Sequence, residues 1–344
     1  MNIIIALIIF SVLILFHELG HFLLAKANGI KVNEFSLGLG PTLVGVTKGE
    51  TKYSIKLLPF GGACLMEGED GESQDERSFN SKSVWARISV VVAGPVFNFI
   101  MAWVFALIVI GCVGFDRPVL TSVSEGFPAA EAGLQAGDEI ISMNGSRVHF
   151  FREVSQFSIF HPGEDVKLVY ERDGERHEAV LSPKLDEETG RQRYGMNGRA
   201  ARQRGTVLET VANSFYEIKY QICTTVESLK MLVTGKVGVK DLSGPVGIVK
   251  AMGDTYESNE SAGGTGLAIL SMVNFSIFLS ANLGVMNLLP IPALDGGRLV
   301  FLILEAIRRK KISPEKEGMV HFVGLVALMA LMVFVMFNDI RNIF

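Results

Sequence analysis

"ILFHELGHFLLAK", residues Ile14 to Lys26, sets two histidines and a glutamate inside a run otherwise suited to lipid. One ionisable side chain at the centre of a bilayer costs about 2.5–3.5 kcal/mol on insertion scales. Three of them in one span need a use. His17-Glu18-Leu19-Gly20-His21 is an HExxH pattern. On a helix, positions i and i+4 stand one turn apart on one face, so both imidazoles can point at one ion. Glu18 sits beside the first of them, where it can act as general base on a water at that ion. Two core histidines with a stray glutamate would instead leave three polar groups unpaired within a span, which is costly.

The rest of the chain has the composition of a membrane protein with a soluble part. Its 344 residues are 49% hydrophobic and 20% charged, with a mean hydropathy of +0.34. That is too apolar for an ordinary soluble chain and too charged for a pure helical bundle. The net charge of −4 shows no basic bias, so nucleic acid is not expected as a partner. Cys64, Cys112 and Cys223 are widely separated and form no CxxC pair, which argues against a disulfide framework or a thiolate zinc site. The first sixteen residues contain no Lys or Arg, and no small-residue cleavage site follows. The first apolar run is therefore expected to be a retained span.

Four segments are long and apolar enough to cross a bilayer, which needs about twenty residues per helix. They are residues 3–25, 84–113 (broken by Gly94-Pro95), 267–289 and 319–337. Lys and Arg concentrate in the loop 26–83 and again over 298–316, which places both loops in the cytoplasm. The N-terminus, the long middle region and the C-terminus then fall outside. The expected organisation is a first membrane half, 1–114, with a β-rich cytoplasmic loop over 31–83. An extracytoplasmic α+β domain follows at 115–199, then an amphipathic helical segment at 200–266 and a second membrane half at 267–344. Strand-like runs such as "DEIISMNG" and "DVKLVYERDG" separated by Gly-containing turns carry the domain reading. Apolar residues at Val207, Val211, Phe215, Ile218, Ile222 and onward in steps of three and four predict the amphipathic helix. "KYSIKLLPFGGACLMEGED" predicts short strands and a hairpin or re-entrant piece beside the bundle, since non-helical backbone at membrane depth needs protein or a water-filled cavity around it.

A catalytic zinc takes three protein ligands and keeps one position for water, so His17 and His21 need a third. His17 lies about 21 Å of helix rise from Ile3, in the inner part of a hydrocarbon core about 30 Å thick. The third span runs in the same direction, and Asp295 in "NLLPIPALDGG" follows its inner end. It is the only acid at the end of a span on that side, although Asp and Gly are also common in turns.

HELGH in the first span, "AGPVFN" (Ala93–Asn98) in the second and "NLLPIPALDGG" (Asn287–Gly297) at the third together resemble the site-2 protease family, M50, of intramembrane zinc proteases. "EGFPAAEAGLQAGDEIISMNG" (Glu125–Gly145) resembles the PDZ domain of its bacterial RseP/RasP-type members, and "LSGPVGIVKA" (Leu242–Ala251) also matches them. The implied fold is a polytopic α-helical membrane protein of four spans. It would carry a membrane-associated β-hairpin region and one inserted PDZ-like domain, as in members with a single PDZ. The resemblance implies a metalloendopeptidase with one Zn2+ on His17, His21 and Asp295, and Glu18 activating water. It places Asn98 and Asn287 near the cleft, where they would hold substrate backbone or the oxyanion; an asparagine in a span can equally be an interhelical hydrogen-bonder. Gly61-Gly62 resembles the family's re-entrant β-loop, thought to meet the substrate as an added strand. Gly133, Leu134 and Gly137 would form the PDZ binding loop, or else a structural turn.

The function so implied is regulated intramembrane proteolysis in a bacterial cytoplasmic membrane. Substrates would be single-pass proteins such as anti-sigma factors already trimmed by an upstream site-1 protease, or remnant signal peptides. The rival is a membrane-tethered PDZ adaptor with a non-catalytic metal site, in which Glu18 would be dispensable. A metal transporter would spread ionisable residues along several spans; here they cluster at one depth.

Overall fold

An apolar run free of proline becomes the first helix, α1 (Asn2–Ala27), and Gly29 ends it in the left-handed conformation common past a helix C-terminus. The structure is a computed structural model that describes residues 2–69, 71, 73–187, 189–198, 202–238 and 243–343. The expected boundary at 199/200 and Leu242 of the "LSGPVGIVKA" motif lie outside the described residues. Two strands follow α1, β1 (Val32–Lys48) and β2 (Thr51–Met66), and then the helix α2 (Val84–Val113). The next stretch holds β3 (Ser122–Val123), α3 (Pro128–Glu131), β4 (Glu139–Met143), β5 (Ser146–Arg147), α4 (Phe151–Phe160), β6 (Val166–Arg172) and β7 (Glu175–Leu181). After β8 (Lys184–Asp186), β9 (Arg191–Arg193) and β10 (Met196–Asn197) come four helices. These are α5 (Val207–Val233), α6 (Pro245–Asn287), α7 (Asp295–Arg308) and α8 (Pro314–Ile343).

The chain divides into two compact units, Met1–Phe105 with Val237–Phe344, and Ala106–Lys236. In the first unit α1, α2, α6 and α8 are long and apolar enough to cross a membrane. The 43 residues of α6 would rise about 64 Å as one helix, twice a hydrocarbon core. Gly263 and Gly264 break it, with Gly264 at a φ of 76°. The span expected at 267–289 is the part after this break. The part before it differs from the expected amphipathic segment over 200–266. Met252 and Tyr256 are buried there with Ala6 and Leu13 of α1 and Met101 of α2, inside the membrane unit.

The start of α6 is capped from another helix. Asp339 of α8, 5% exposed, accepts hydrogen bonds from the backbone N–H of Gly244 (2.9 Å) and of Gly247 (2.8 Å). Any Cβ at Gly244 would press into that carboxylate, which explains the glycine. The first N–H groups of a helix have no intrahelical acceptor, and a carboxylate there also meets the positive end of the helix dipole.

The β region is more folded than one hairpin. The tight turn is at Gly49-Glu50, and Thr42–Lys48 pair across it with Thr51–Lys56. Glu34, Phe35, Ser36 and Leu37 each have two strand partners, Lys52–Ile55 on one side and Leu65–Gly62 on the other. Each strand therefore bends and contributes twice. Gly61-Gly62, expected at a hairpin, begin the returning segment of β2, where Gly61 has a φ of 86°. Leu43, Val44, Val46 and Ile55 remain more than half exposed on this sheet.

In the second unit, the sheet β5-β4-β6-β7 packs under α4 around Ile140, Leu168, Val166, Val154 and Phe151. α5 starts with the capping box of Thr206 and Glu209. Its contact with α4 is polar and aromatic: the Arg152–Glu217 ion pair, the Gln156–Thr224 hydrogen bond, and His149 stacked on Tyr216 at 3.7 Å. Of the apolar series read from its periodicity, Val207, Phe215 and Val226 of α5 stay exposed while Ile218 is buried beside Glu217, so the series coincides only in part with the buried face.

Two outcomes are expected. Asp339→Ala removes an acceptor from one buried and one part-buried N–H group and should cost about 2–3 kcal/mol, read as a lower unfolding midpoint in detergent; Asp339→Asn should lie between. His149 has its pKa pushed down to about 4 by burial and by Lys219 and Arg147. The unfolded imidazole titrates near 6.5, so it takes up a proton that the folded one refuses. Stability of this unit should therefore fall as pH drops from about 6.5 towards 4 and be flat above. His149→Gln should remove that part of the slope.

Candidate metal centre

His17 and His21 face α2 from one side of α1 and are each 8% exposed. Their room comes from glycines. A Cβ at Gly94 would run into both imidazoles, and one at Gly20 would strike the Ala93 carbonyl. Gly94-Pro95, read from sequence as an interruption of a span, lies inside continuous α2.

Three ligand atoms converge in this space. His17 Nε2 lies 3.1 Å and His21 Nε2 3.4 Å from Asp295 Oδ2, and the two Nε2 atoms are 3.2 Å apart. Metal bonds of about 2.0–2.1 Å in tetrahedral geometry give edges of about 3.3–3.4 Å, so the triangle is sized for one zinc. Asp295 Oδ2 is buried with no hydrogen-bond donor, which an ion would correct. The far nitrogens are also held. His21 Nδ1 is 2.9 Å from the carbonyl of Val90, to which it donates. His17 Nδ1 is 2.9 Å from the amide of Asn98, which is fully buried. With the Asn98 Oδ1 turned to the ring, Nδ1–H donates to it and Nε2 keeps its lone pair. With Nδ2 there, Nε2 would carry the proton and could not ligate. Asn98 thus touches a candidate ligand, which favours a helix-bridging part over direct contact with substrate. Ser280 of α6 bonds its backbone carbonyl at 2.8 Å.

Asp295 opens α7, although the turn residues of "LDGG" suggest a loop. Ala293, two residues earlier, has a φ of 77°, and its N–H donates to His321 Nδ1 at 3.0 Å. A Cβ at Gly296 would meet the backbone of Leu288 and Leu289, and one at Gly297 that of Ile291. The two glycines of "LDGG" thus let the loop lie on the first turn of α7. Further along, Arg298 is ion-paired with Glu69, and Glu305 with Arg87 of α2.

Glu18 is half-buried beside the triangle. Gly62 passes over it: a Cβ there would lie 3.1 Å from Glu18 Cγ. Asn287 ends α6 half-buried, and among the described residues it is not joined to the hydrogen bonds around His17. Gly133, Leu134 and Gly137 do not line the open cleft of the inserted domain. That cleft, of about 860 Å3, runs between α4 (Phe151, Val154, Ser155) and the stretch Arg193–Asn197. Leu134 is a core residue, and Gly133 and Gly137 have φ of 78° and 99°. The clue to the cleft was "RQRYGMNG", whose role the strand pattern did not reveal.

The sequence model of Peptidase family M50 matches residues 5–331. The chain belongs to this family. A Clostridium acetobutylicum protein provisionally named a zinc metalloprotease is 41% identical over 98% of this chain and 97% of its own. Zinc metalloprotease RasP of Bacillus licheniformis is 34% identical over the whole of both chains. Regulator of sigma-W protease RasP of Bacillus subtilis is 34% identical over 98% of each. Among solved structures, the PDZ domain of a Listeria monocytogenes SdrC-like protein covers 25% of this chain and 90% of its own, at 25% identity and a TM-score of 0.22. The M50 chain is thus a zinc metalloprotease of the site-2 type and a membrane protein. The donor set found in the structure, two imidazoles and a carboxylate, suits the zinc that its relatives' names specify.

Asn98→Ala should weaken zinc binding by about 10–100-fold, the usual effect of losing a partner behind a ligating histidine. Equilibrium dialysis with total zinc analysis would measure it, and the unfolding midpoint of the zinc-free protein should change little by comparison.

Proposed function

We propose that this M50 protease cuts transmembrane segments of single-pass proteins at a zinc held by His17, His21 and Asp295, with Glu18 as general base. The observation that carries the reading is the 3.1, 3.2 and 3.4 Å triangle of ligand atoms with Glu18 next to it in α1. When bound, zinc supplies a Lewis acid that lowers the pKa of water to about 7 and polarises a carbonyl. Glu18 takes the proton of the attacking water and delivers it to the nitrogen of the departing amine. Asn287, as the family resemblance implies, would donate from its amide to substrate backbone or to the oxygen that gains charge.

A helical peptide bond is shielded, so the substrate must be extended where it is cut. Residues 62–66 of β2 pair with β1 on one side only among the described residues, and the face of this segment at Gly62 lies against Glu18. An extended substrate added there would gain ladder hydrogen bonds next to the base. Anti-sigma factors already shortened by another protease, and remnant signal peptides, are the proposed substrates; one relative is named for regulating sigma-W. The inserted α+β domain is proposed to be a single PDZ domain, on the residues Glu125–Gly145. With the basic loops 26–83 and 298–316 in the bacterial cytoplasm, that domain and both termini lie outside. The tethered-adaptor reading is not favoured, because family and relatives are those of proteases.

The test is cleavage of a tagged single-pass substrate panel by purified protein in detergent. Glu18→Gln should lose 10²–10⁴-fold in rate while keeping one zinc per chain; Asp295→Ala should lose the zinc as well. Cleavage by Glu18→Gln at the rate of the unmodified protein would refute the mechanism.

A further inference from the structure

Beside the start of α2 lies a cavity of about 470 Å3 that the proteolytic site does not use. Its wall is built from Ser81–Trp85 on one side and from the end of α7 with the residues after it on the other. Four cations stand on it: Lys82, Arg309, Lys310 and Lys311. The carboxylate on the wall, Glu305, is ion-paired with the buried Arg87, so these two cancel and the four cations are in excess. Lys311 is tied to the carbonyl of Asn80 at 2.8 Å, and Arg309 turns the chain at the end of α7 with a φ of 52°. The basic segment is thereby folded back on the first turn of α2, whose helix dipole adds positive potential.

The surroundings are those of a membrane boundary. α2 is a 30-residue apolar span, and the cavity lies at its end. Trp85, in its first turn, is 70% exposed, an arrangement typical of an indole at headgroup level. Ile303, Leu304 and Ile307 of α7 form an exposed apolar ridge leading away from the cations. We propose that this cavity binds the phosphate of an anionic phospholipid, with the acyl chains on the apolar ridge of α7 and beside Trp85. Basic pockets between membrane helices recognise such headgroups by charge. A free phosphate would leave Trp85 and Ile307 without a part to play. A zwitterionic headgroup would bring its own cation into an already positive cavity.

The test uses the full-length protein in a neutral detergent, with the unfolding midpoint followed during titration with phosphatidylglycerol, phosphatidylcholine or inorganic phosphate. Phosphatidylglycerol alone should raise the midpoint. The double variant Lys82→Glu, Lys310→Glu should need at least roughly twenty-five-fold more of it for half the effect, since losing each lysine's charge costs about five-fold and the introduced carboxylates add repulsion. Proteolysis without added lipid should be unchanged. A double variant that responds like the unmodified protein would overturn the proposal. So would an equal shift with inorganic phosphate, which would mark a free-anion site, or with phosphatidylcholine. If charge reversal itself lowers the lipid-free midpoint, Lys82→Gln with Lys310→Gln is judged by the same criterion.

Discussion

Two imidazole rings one turn apart on a tightly packed helix need volume that a neighbouring helix has to give up. Here α2 gives it up at Gly94, where a methyl group would overlap both rings. Everything else about the candidate centre is arranged around that gap within the next turn or so of α2. Val90 presents its carbonyl to His21, and Asn98 presents its amide to His17. Gly20 on α1 lets the helices approach at Ala93. The same short stretch of α2 thus makes room for the rings and fixes which nitrogen of each is free. A larger residue at Gly94 would separate the helices and lose both hydrogen bonds together, so the three features stand or fall as one unit.

The third side of the triangle is set differently. Asp295 is held by the helix it begins, and α7 is held by charge. The Arg87–Glu305 pair is nearly buried, at 5% and 12% exposure, and Arg298 pairs with Glu69 and lies 3.7 Å from Glu317. Buried pairs contribute little net stability against an apolar replacement, because desolvation offsets their attraction. Their value here is positional. An apolar α7 could slide or rotate among apolar neighbours, whereas two pairs to different elements define its register. Removing one partner would strand a charge and release the helix together.

Much of this was readable from residue order. HExxH on an apolar helix, an acid beyond the end of a later apolar helix, four helices long and apolar enough to cross a membrane and short strands between the second and third of them follow from local rules of spacing and composition. What stayed hidden depends on contacts distant in sequence. Asn98 reads as any interhelical asparagine until His17 is found 2.9 Å away. The Val90 carbonyl has no signature, since every residue has one. α7 was masked by the turn residues around it: "LDGG" looks like loop, yet its glycines serve close packing of Leu288–Ile291 on a helix. The bending of β1 and β2 hangs on glycines with positive φ at positions 38, 40 and 61, which in a sequence could equally mark a hairpin turn. The apolar spacing of α5 marks a helix but does not identify its neighbour, and its contact with α4 runs through Glu217 and Thr224.

The β sheet poses the sharpest physical question of the structure. Its surface exposes Leu43, Val44, Val46 and Ile55, as an element facing lipid would. Yet the segment 62–66 leaves one edge of backbone N–H and C=O groups without a strand partner among the described residues. In hydrocarbon each such group costs several kcal/mol, so an edge of this kind is tolerable only beside water or another strand. Water must reach the centre in any case, because hydrolysis consumes it. An edge that is wetted at rest and covered by an extended chain during cleavage meets both requirements. Under the proposed reading, the hydrogen bonds lost on unwinding a substrate helix would be offset by a ladder on β2, near where Gly62 lies over Glu18. On this view the sheet does for the substrate backbone what Gly94 does for the imidazoles: it offers a place that only the right group can fill.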